Sequence, residues 1–253
     1  MEPVSISQVQ AYLACPLKYR FQYVDRIPPP WRAAALAFGS SVHAAVEWFH
    51  RERLAGGTPT QEEVLAIFEA DWYAANLGPV VFSDRESKDL LAEKGRDLLE
   101  LYLPEALESV PLRIEDRFEI DLIDPVTGEV LDVRLHGAID LVEEGDLLVE
   151  LKTAARTLEQ GGLERHLQLS TYALVYLLRE GRMPKLRLDQ LVKTKVPRLE
   201  RHETTRTVED LAWTARLIAG IARAISARHF YPNPSWRCTE CEYFAHCQSW
   251  LGG

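Results

Sequence analysis

Apolar positions recur at helical spacing near the start of the chain. Val9, Tyr12 and Leu13 predict a helix over 5–24, with Ser5 or Ser7 placed to cap it. Pro28-Pro29-Pro30 breaks the pattern. Helical spacing returns over 40–54, where Val42, Ala45, Val46 and Phe49 make one apolar face. Gly56-Gly57-Thr58-Pro59-Thr60 reads as a loop, and Thr60 with Glu63 as a capping box. Residues 61–109 then predict two or more helices ending before Pro111, a stretch with little chemistry in its side chains. At Arg113 the pattern becomes that of a strand, with Ile114, Phe118, Ile120 and Leu122 marking 113–123. Asp124-Pro125-Val126-Thr127-Gly128 is a turn. Strands over 129–142 and 147–152 flank a second turn at 143–146, which gives an antiparallel meander. A helix at about 163–180, a strand at 186–195 and a long helix at 207–228 precede a cysteine-bearing tail. The chain has no internal repeat and no low-complexity tract.

At 253 residues with 47% hydrophobic content, the chain can bury a real core as one large domain or a core with an inserted subdomain. No apolar run reaches the ~18 residues of a membrane span. The start, Met1-Glu2-Pro3-Val4-Ser5, lacks the basic and apolar blocks of a signal peptide, so the cytoplasm is the expected compartment. The net charge of −9 argues against a general nucleic-acid coat but allows a local basic channel.

The meander carries the first candidate chemistry. In the strand over 147–152, Glu150 and Lys152 share a face, and the 143–146 turn brings Asp140 close to opposite Glu150. Side chains paired in this way start about 5 Å apart. Two carboxylates in an apolar strand repel, and a divalent cation relieves the repulsion. Hard oxygen donors favour Mg²⁺ or Mn²⁺. Lys152 beside that cation could orient water and offset phosphate charge, an assembly suited to phosphodiester hydrolysis. The competing reading is a structural salt-bridge cluster on an exposed sheet face.

Two helices add candidates. Gly39-Ser40-Ser41-Val42-His43 opens the 40–54 helix, which puts His43 near its first turn as a further ligand, with Glu47 and His50 following on the same face. A surface histidine is the bland alternative. In the 163–180 helix, Arg165, Gln168 and Tyr172 fall on one side, a polar stripe with a ring to stack on a base. A solvated helix face competes with that reading.

The four cysteines sit at the two extremes: Cys15 near the start, and Cys238, Cys241 and Cys247 spaced C-x2-C-x5-C near the end. In a reducing compartment they read as one four-thiolate site joining the termini, holding zinc or an iron–sulfur cluster. Closing so long a loop lowers unfolded-state entropy by about 5 kcal/mol at most.

Gly39-x-x-x-His43, Gly137-x-x-Asp140, Glu150-x-Lys152 and Gln168-x-x-x-Tyr172 stand in an order that resembles RecB-like nucleases of the PD-(D/E)XK superfamily. Cys15-Pro16-Leu17-Lys18-Tyr19-Arg20-Phe21 and the C-terminal cysteines resemble its iron–sulfur branch, which includes CRISPR-associated RecB-like exonucleases, exonuclease V and the AddB nuclease domain. Ile139 replaces the proline of the superfamily name, a position that supplies no ligand.

The resemblance implies an α/β fold: a restriction-endonuclease-like core, a mixed central sheet flanked by helices, with an N-terminal helical region and a four-cysteine clasp. It implies a single nuclease domain over 1–253, with a helical insertion at 52–110, the core at 111–230 and a tail at 231–253 that completes the cluster with Cys15. His43, Asp140, Glu150 and the Leu151 main-chain carbonyl would bind the catalytic metal, and Lys152 would be the catalytic lysine. Gln168 and Tyr172 would hold the DNA strand, while Glu115 resembles a family acidic position without a firm role. Lys193 and Lys195, two apart on the fourth strand, are phosphate contacts or a solvated edge. The asymmetric cysteine spacing together with the resemblance selects [4Fe-4S], with zinc as the alternative.

The expected function is a Mg²⁺- or Mn²⁺-dependent deoxyribonuclease; the resemblance makes it an exonuclease on single-stranded DNA or free ends. No G-x-x-x-x-G-K-[ST] loop is present, so a separate helicase or a CRISPR-adaptation partner would supply any motor. Repair, recombination and CRISPR adaptation are the candidate settings. The rival is a non-catalytic nucleic-acid-binding or assembly subunit that keeps the fold. A structural zinc protein with a surface salt bridge is a third reading.

Overall fold

The computed structural model describes residues 2–159 and 161–250. In chain order the elements begin with β1 (Val4–Ser5), α1 (Ile6–Ala14) and α2 (Pro16–Tyr19), the last running into a π-helical turn at Arg20–Val24. Next come β2 (Arg32–Ala33), α3 (Ala34–Leu54), α4 (Gln61–Ala75), β3 (Val80–Val81) and α5 (Lys88–Leu107). The sheet strands follow as β4 (Pro111–Ile123), β5 (Val130–Glu143) and β6 (Leu147–Ala154). Then come α6 (Leu167–Glu180), β7 (Lys185–Val192), β8 (Arg198–Thr204), α7 (Val208–Ser226) and α8 (Phe244–Gln248).

Local chemistry sets these boundaries. Ser5 and Gln8 form a capping box at α1, Thr60 and Glu63 at α4, and Thr207 and Asp210 at α7. The predicted 5–24 helix is broken at Cys15, which is extended at φ −164° and ψ 110°. Pro16 forces this, because a residue before proline is driven out of the helical region. The predicted 40–54 helix starts earlier, at Ala34. Ala34-Ala35-Leu36-Ala37-Phe38 are adequate helix formers that carry the helix back through Gly39. The predicted 186–195 strand ends at Val192, and a further strand, β8, pairs antiparallel with it. β8 reads Arg-Leu-Glu-Arg-His-Glu-Thr, so its charge hides the alternation that marks a strand.

Chain contacts divide the protein into two compact units. One comprises Met1–Trp31, Phe118–Gly137 and Thr207–Gly253. In it, β1 pairs parallel with β5 through Val4 and Leu135, and α1 packs on α7. The chain ends are stitched together: Tyr12 Oη donates to the His229 carbonyl at 2.6 Å and the Leu17 amide to the Tyr231 carbonyl at 3.0 Å. Lys18 adds an ion pair to Glu242 at 2.8 Å. A Cβ at Gly137 would stand 2.8 Å from Phe118 Cζ, so glycine leaves room for that ring against the strand.

The other unit comprises Arg32–Arg117 and Ala138–Arg206. Its sheet is mixed: β5 runs antiparallel to β6, β6 parallel to β7, and β7 antiparallel to β8. Helix α3 packs on β6, α5 on β7 and β8, and α6 on β6 and β7. This is an α/β layer with a central sheet flanked by helices. Phe38 and Phe49 of α3 meet Phe68 and Trp72 of α4, Leu98 and Leu99 of α5, and Leu151 and Leu191 of the sheet. Each such buried side chain contributes about 2 kcal/mol of transfer free energy. Among the described residues no helix is long and apolar enough to cross a membrane.

Candidate metal centre and active site

Asp140 leaves β5 where that strand pairs with β6. The last paired residues are Leu141 with Val149, and one step further in the same register sets Asp140 opposite Glu150. Asp140 Oδ2 accepts from the Leu151 amide at 3.0 Å and lies 3.3 Å from His43 Nε2. His43 Nε2 is also 3.7 Å from Glu115 Oε1. One donor atom from each of His43, Glu115 and Asp140 fits within a 4.8 Å group, the spacing of ligands around a metal ion.

His43 reaches this point from the third turn of α3, not the first as the sequence suggested, because the helix starts at Ala34. Gly39, one turn earlier, explains how α3 can lie so close to β6: a Cβ there would sit 3.0 Å from Thr153 Oγ1. Glu115 was left without a role in the sequence. It sits in β4 at φ +47°, a strained value for a residue with a side chain, and its carboxylate joins the cluster. Nothing in a strand pattern signals such a kink.

Glu150 is fully buried at 0% exposure. Lys152 Nζ touches its Oε1 as an ion pair, yet neither Glu150 oxygen accepts a hydrogen bond of sound geometry. Burial first, then the Asp140 charge, raises its pKa to about 8. For His43, burial opposes the proton, but the Asp140 hydrogen bond and charge, with Glu115 and Glu150, outweigh it and lift the pKa to about 8. Burial also works against charge on Asp140, but His43, the Leu151 amide and Lys152 hold its pKa below the ordinary value. Glu115 is raised, by burial before any neighbour. The site is thus a desolvated carboxylate group short of positive charge, which a cation would supply.

Helix α6 braces the centre. Lys152 Nζ donates to Gln168 Oε1 at 3.0 Å, Gln168 Nε2 to Tyr172 Oη at 2.8 Å, and Tyr172 Oη to Asp140 Oδ1 at 2.9 Å. Tyr172 is 1% exposed, so its ring has no face for a base to stack on; that part of the sequence reading is corrected. Arg165 is not on the helix. It lies exposed in the turn before α6, because the helix starts at Leu167 and His166 caps it. Lys193 and Lys195 do not share a strand face, since β7 has ended at Val192. Lys193 is buried and ion-paired with Glu86, its ammonium 5.4 Å from the Phe38 ring centre, while Lys195 is exposed in the following loop. A cleft of about 470 Å³ opens beside the centre, lined by Leu36, Gly39, Ser40 and His43 of α3 and by Leu151, Lys152 and Thr153.

In the other unit, Cys15, Cys238, Cys241 and Cys247 line one cavity of about 500 Å³, and none is in a disulfide. Burial raises the pKa of Cys247, and Cys15, Cys241 and Cys238 raise it further. The Ser235 amide donates to Cys238 Sγ at 3.4 Å.

The PD-(D/E)XK nuclease superfamily profile matches residues 3–248. The chain belongs to the PD-(D/E)XK nuclease superfamily. This PD-(D/E)XK chain also resembles solved structures. A "Putative exonuclease" from Eubacterium rectale superposes with a TM-score of 0.65 at 14% identity, over 100% of this chain and 90% of that one. SSO0001 aligns at a TM-score of 0.38 and 16% identity, over 97% of this chain and 96% of its own. No curated protein sequence matches the chain. As a PD-(D/E)XK protein the chain is a nuclease by family, and DNA is the substrate that family implies.

Proposed function

We propose that this nuclease is a Mg²⁺- or Mn²⁺-dependent deoxyribonuclease, an exonuclease that degrades single-stranded DNA from a free end in the cytoplasm. The observation that carries the reading is the buried Glu150, without a hydrogen bond, beside the convergent His43, Glu115 and Asp140. A buried carboxylate whose ion pair with Lys152 lacks hydrogen bonds of sound geometry is destabilising, and a cation ligated there removes the penalty. His43, Asp140, Glu150 and the Leu151 carbonyl would hold the cation, and Glu115 would join them. The carboxylate and carbonyl oxygens, which outnumber the one imidazole nitrogen, suit Mg²⁺ or Mn²⁺.

A cation bound there supplies Lewis-acid polarisation of the phosphodiester. Lys152, held between Glu150 and Gln168, offsets charge on the phosphate and orients the attacking water. Tyr172 and the Leu151 amide fix both oxygens of Asp140, so the carboxylate need not reorganise during the reaction. The cleft of about 470 Å³ is where a strand would lie. Single-strand preference and end dependence rest on the resemblance to iron–sulfur RecB-like nucleases. Repair, recombination or CRISPR adaptation is the setting, with a separate helicase where duplex must be opened.

The four thiolates would hold a [4Fe-4S] cluster. The asymmetric cysteine spacing and the resemblance to the iron–sulfur branch support the cluster, with zinc as the alternative. A wider cavity with an amide aimed at a sulfur favours a cluster over a single ion. Both units would then serve one nuclease domain.

The test is cleavage of end-labelled single- and double-stranded DNA by anaerobically purified protein, with Mn²⁺ or with chelator, beside Glu150→Ala. Metal-dependent laddering from one end that vanishes in the variant is expected, as is loss of cleavage with retained DNA binding in Asp140→Asn. No cleavage by folded wild type that binds Mn²⁺ would overturn the reading in favour of a non-catalytic nucleic-acid-binding subunit.

A further inference from the structure

His50 is a deeply buried polar side chain of α3 with no part in the chemistry proposed above. It is 2% exposed. Its Nε2 lies 2.8 Å from the Tyr102 hydroxyl, while its Nδ1 is buried without a partner. Burial first, then Arg53, Arg187 and Arg201, lowers its pKa to about 3, so the ring is neutral. A neutral ring offers one donor nitrogen and one acceptor. Leaving one of them unsatisfied costs about 1–3 kcal/mol, and buried groups of this kind are ordinarily satisfied by protein or by ordered water.

A partner has room to bind. A cavity of about 20 Å³ is lined by His50 and Tyr102 together with His43, Asp140 and Glu47. One water needs about 10–15 Å³ and two to four polar neighbours. The remaining walls, including Val46, Leu141 and Val149, are apolar, so a water there has few alternative orientations.

We propose that this cavity is a water site and that His50 is a positioning residue, coupled through the bound water to the metal ligands His43 and Asp140. Tyr102, His50 and the water form an outer hydrogen-bonded chain that fixes how His43 and Asp140 present themselves. Outer partners of metal ligands typically change metal affinity by 10–100-fold when removed. The inference rests on the metal centre proposed above.

Two substitutions separate this role from simple satisfaction of Tyr102. His50→Asn keeps a polar group at the level of ring Nδ1. His50→Gln keeps one at the level of Nε2, where Tyr102 sits. Manganese affinity, read by electron paramagnetic resonance, should fall about tenfold or more in His50→Gln and stay close to wild type in His50→Asn. The reverse order, or equal affinities, would overturn the positioning role. A crystal structure of the metal-free wild type tests the water without any variant or metal: an ordered water bonded to His50 is expected, and a dry cavity overturns the proposal. Wild type that binds no Mn²⁺ while the water is present overturns the metal centre itself, and the positioning role with it.

Discussion

Tyr172 donates its hydroxyl to Asp140 Oδ1 at 2.9 Å, and does so from a position closed to solvent. Tyr172 Oη accepts in turn from Gln168 Nε2, and Gln168 Oε1 accepts from Lys152 Nζ. One helix therefore holds the carboxylate and the lysine of the hairpin in a single chain of bonds. Tyr172→Phe keeps the ring and its packing and removes only the donor. A hydrogen bond to a charged group contributes about 1.5–3 kcal/mol. We expect kcat/KM on end-labelled DNA to fall about 10–100-fold, with weakened Mn²⁺ binding and little change in Tm. Unchanged kcat/KM would mean that Asp140 is held well enough by His43 and the Leu151 amide.

Gly39 yields a second expectation because two effects oppose each other there. Replacing an interior helix glycine by alanine ordinarily stabilises by about 1 kcal/mol. Here the new Cβ would stand 3.0 Å from Thr153 Oγ1 and push α3 away from β6. His43 is one turn further along the same helix, so Gly39→Ala should weaken Mn²⁺ binding and cleavage even if Tm holds. Thr153→Ala removes the opposing atom, and the double variant should regain most of the loss. Additive effects in this double-mutant cycle would show that the close approach is not what glycine provides.

The hairpin was legible in the sequence because short-range rules govern it. Alternation sets Glu150 and Lys152 on one face, and the short turn after Glu143 fixes Asp140 against them. The cap residues of α1 and α4 were legible for the same reason. Three kinds of feature were not. β8 is a charged strand whose partner is chosen by the sheet, not by its own pattern. Arg165 falls in the turn before α6 because the helix starts at Leu167, and Lys193 is held by an ion pair with Glu86. Glu115 enters the centre through a left-handed backbone kink, and His50 becomes buried and neutral only because α5 and the arginines surround it. Each of these depends on contacts distant in sequence.

His50 should also leave a mark on acid stability. Its folded pKa of about 3 lies below the 6.5 of an unperturbed imidazole. As pH falls through about 6.5 the unfolded chain takes up this proton first, so stability is lost from there down to about pH 3 and is fully present above. The loss between pH 8 and pH 5 is about 2 kcal/mol from this group. His166, lowered to about 4 by burial, then Lys152 and Arg206, acts with the same sign. Urea unfolding at the two pH values should show a smaller difference in His50→Gln, which cannot take the proton. An equal difference in both proteins would mean that His50 does not stay neutral in the fold.

Cys15 tests whether metal, stability and cleavage belong together. It is 223 residues before Cys238, and a crosslink closing a loop of that length contributes about 5 kcal/mol in the ideal case. Protein contacts join the chain ends through Tyr12 with His229, Leu17 with Tyr231, and Lys18 with Glu242. Those are ordinary bonds, each contributing about 1 kcal/mol. Cys15→Ala should therefore lose iron and sulfide, lower Tm well beyond the effect of Tyr12→Phe, and lose cleavage in step. Tyr12→Phe should keep its iron and its activity, because the thiols are untouched. A Cys15→Ala protein that has lost its metal but melts at the wild-type temperature would show that the protein contacts alone hold the ends, and that the thiols serve another purpose than a clasp.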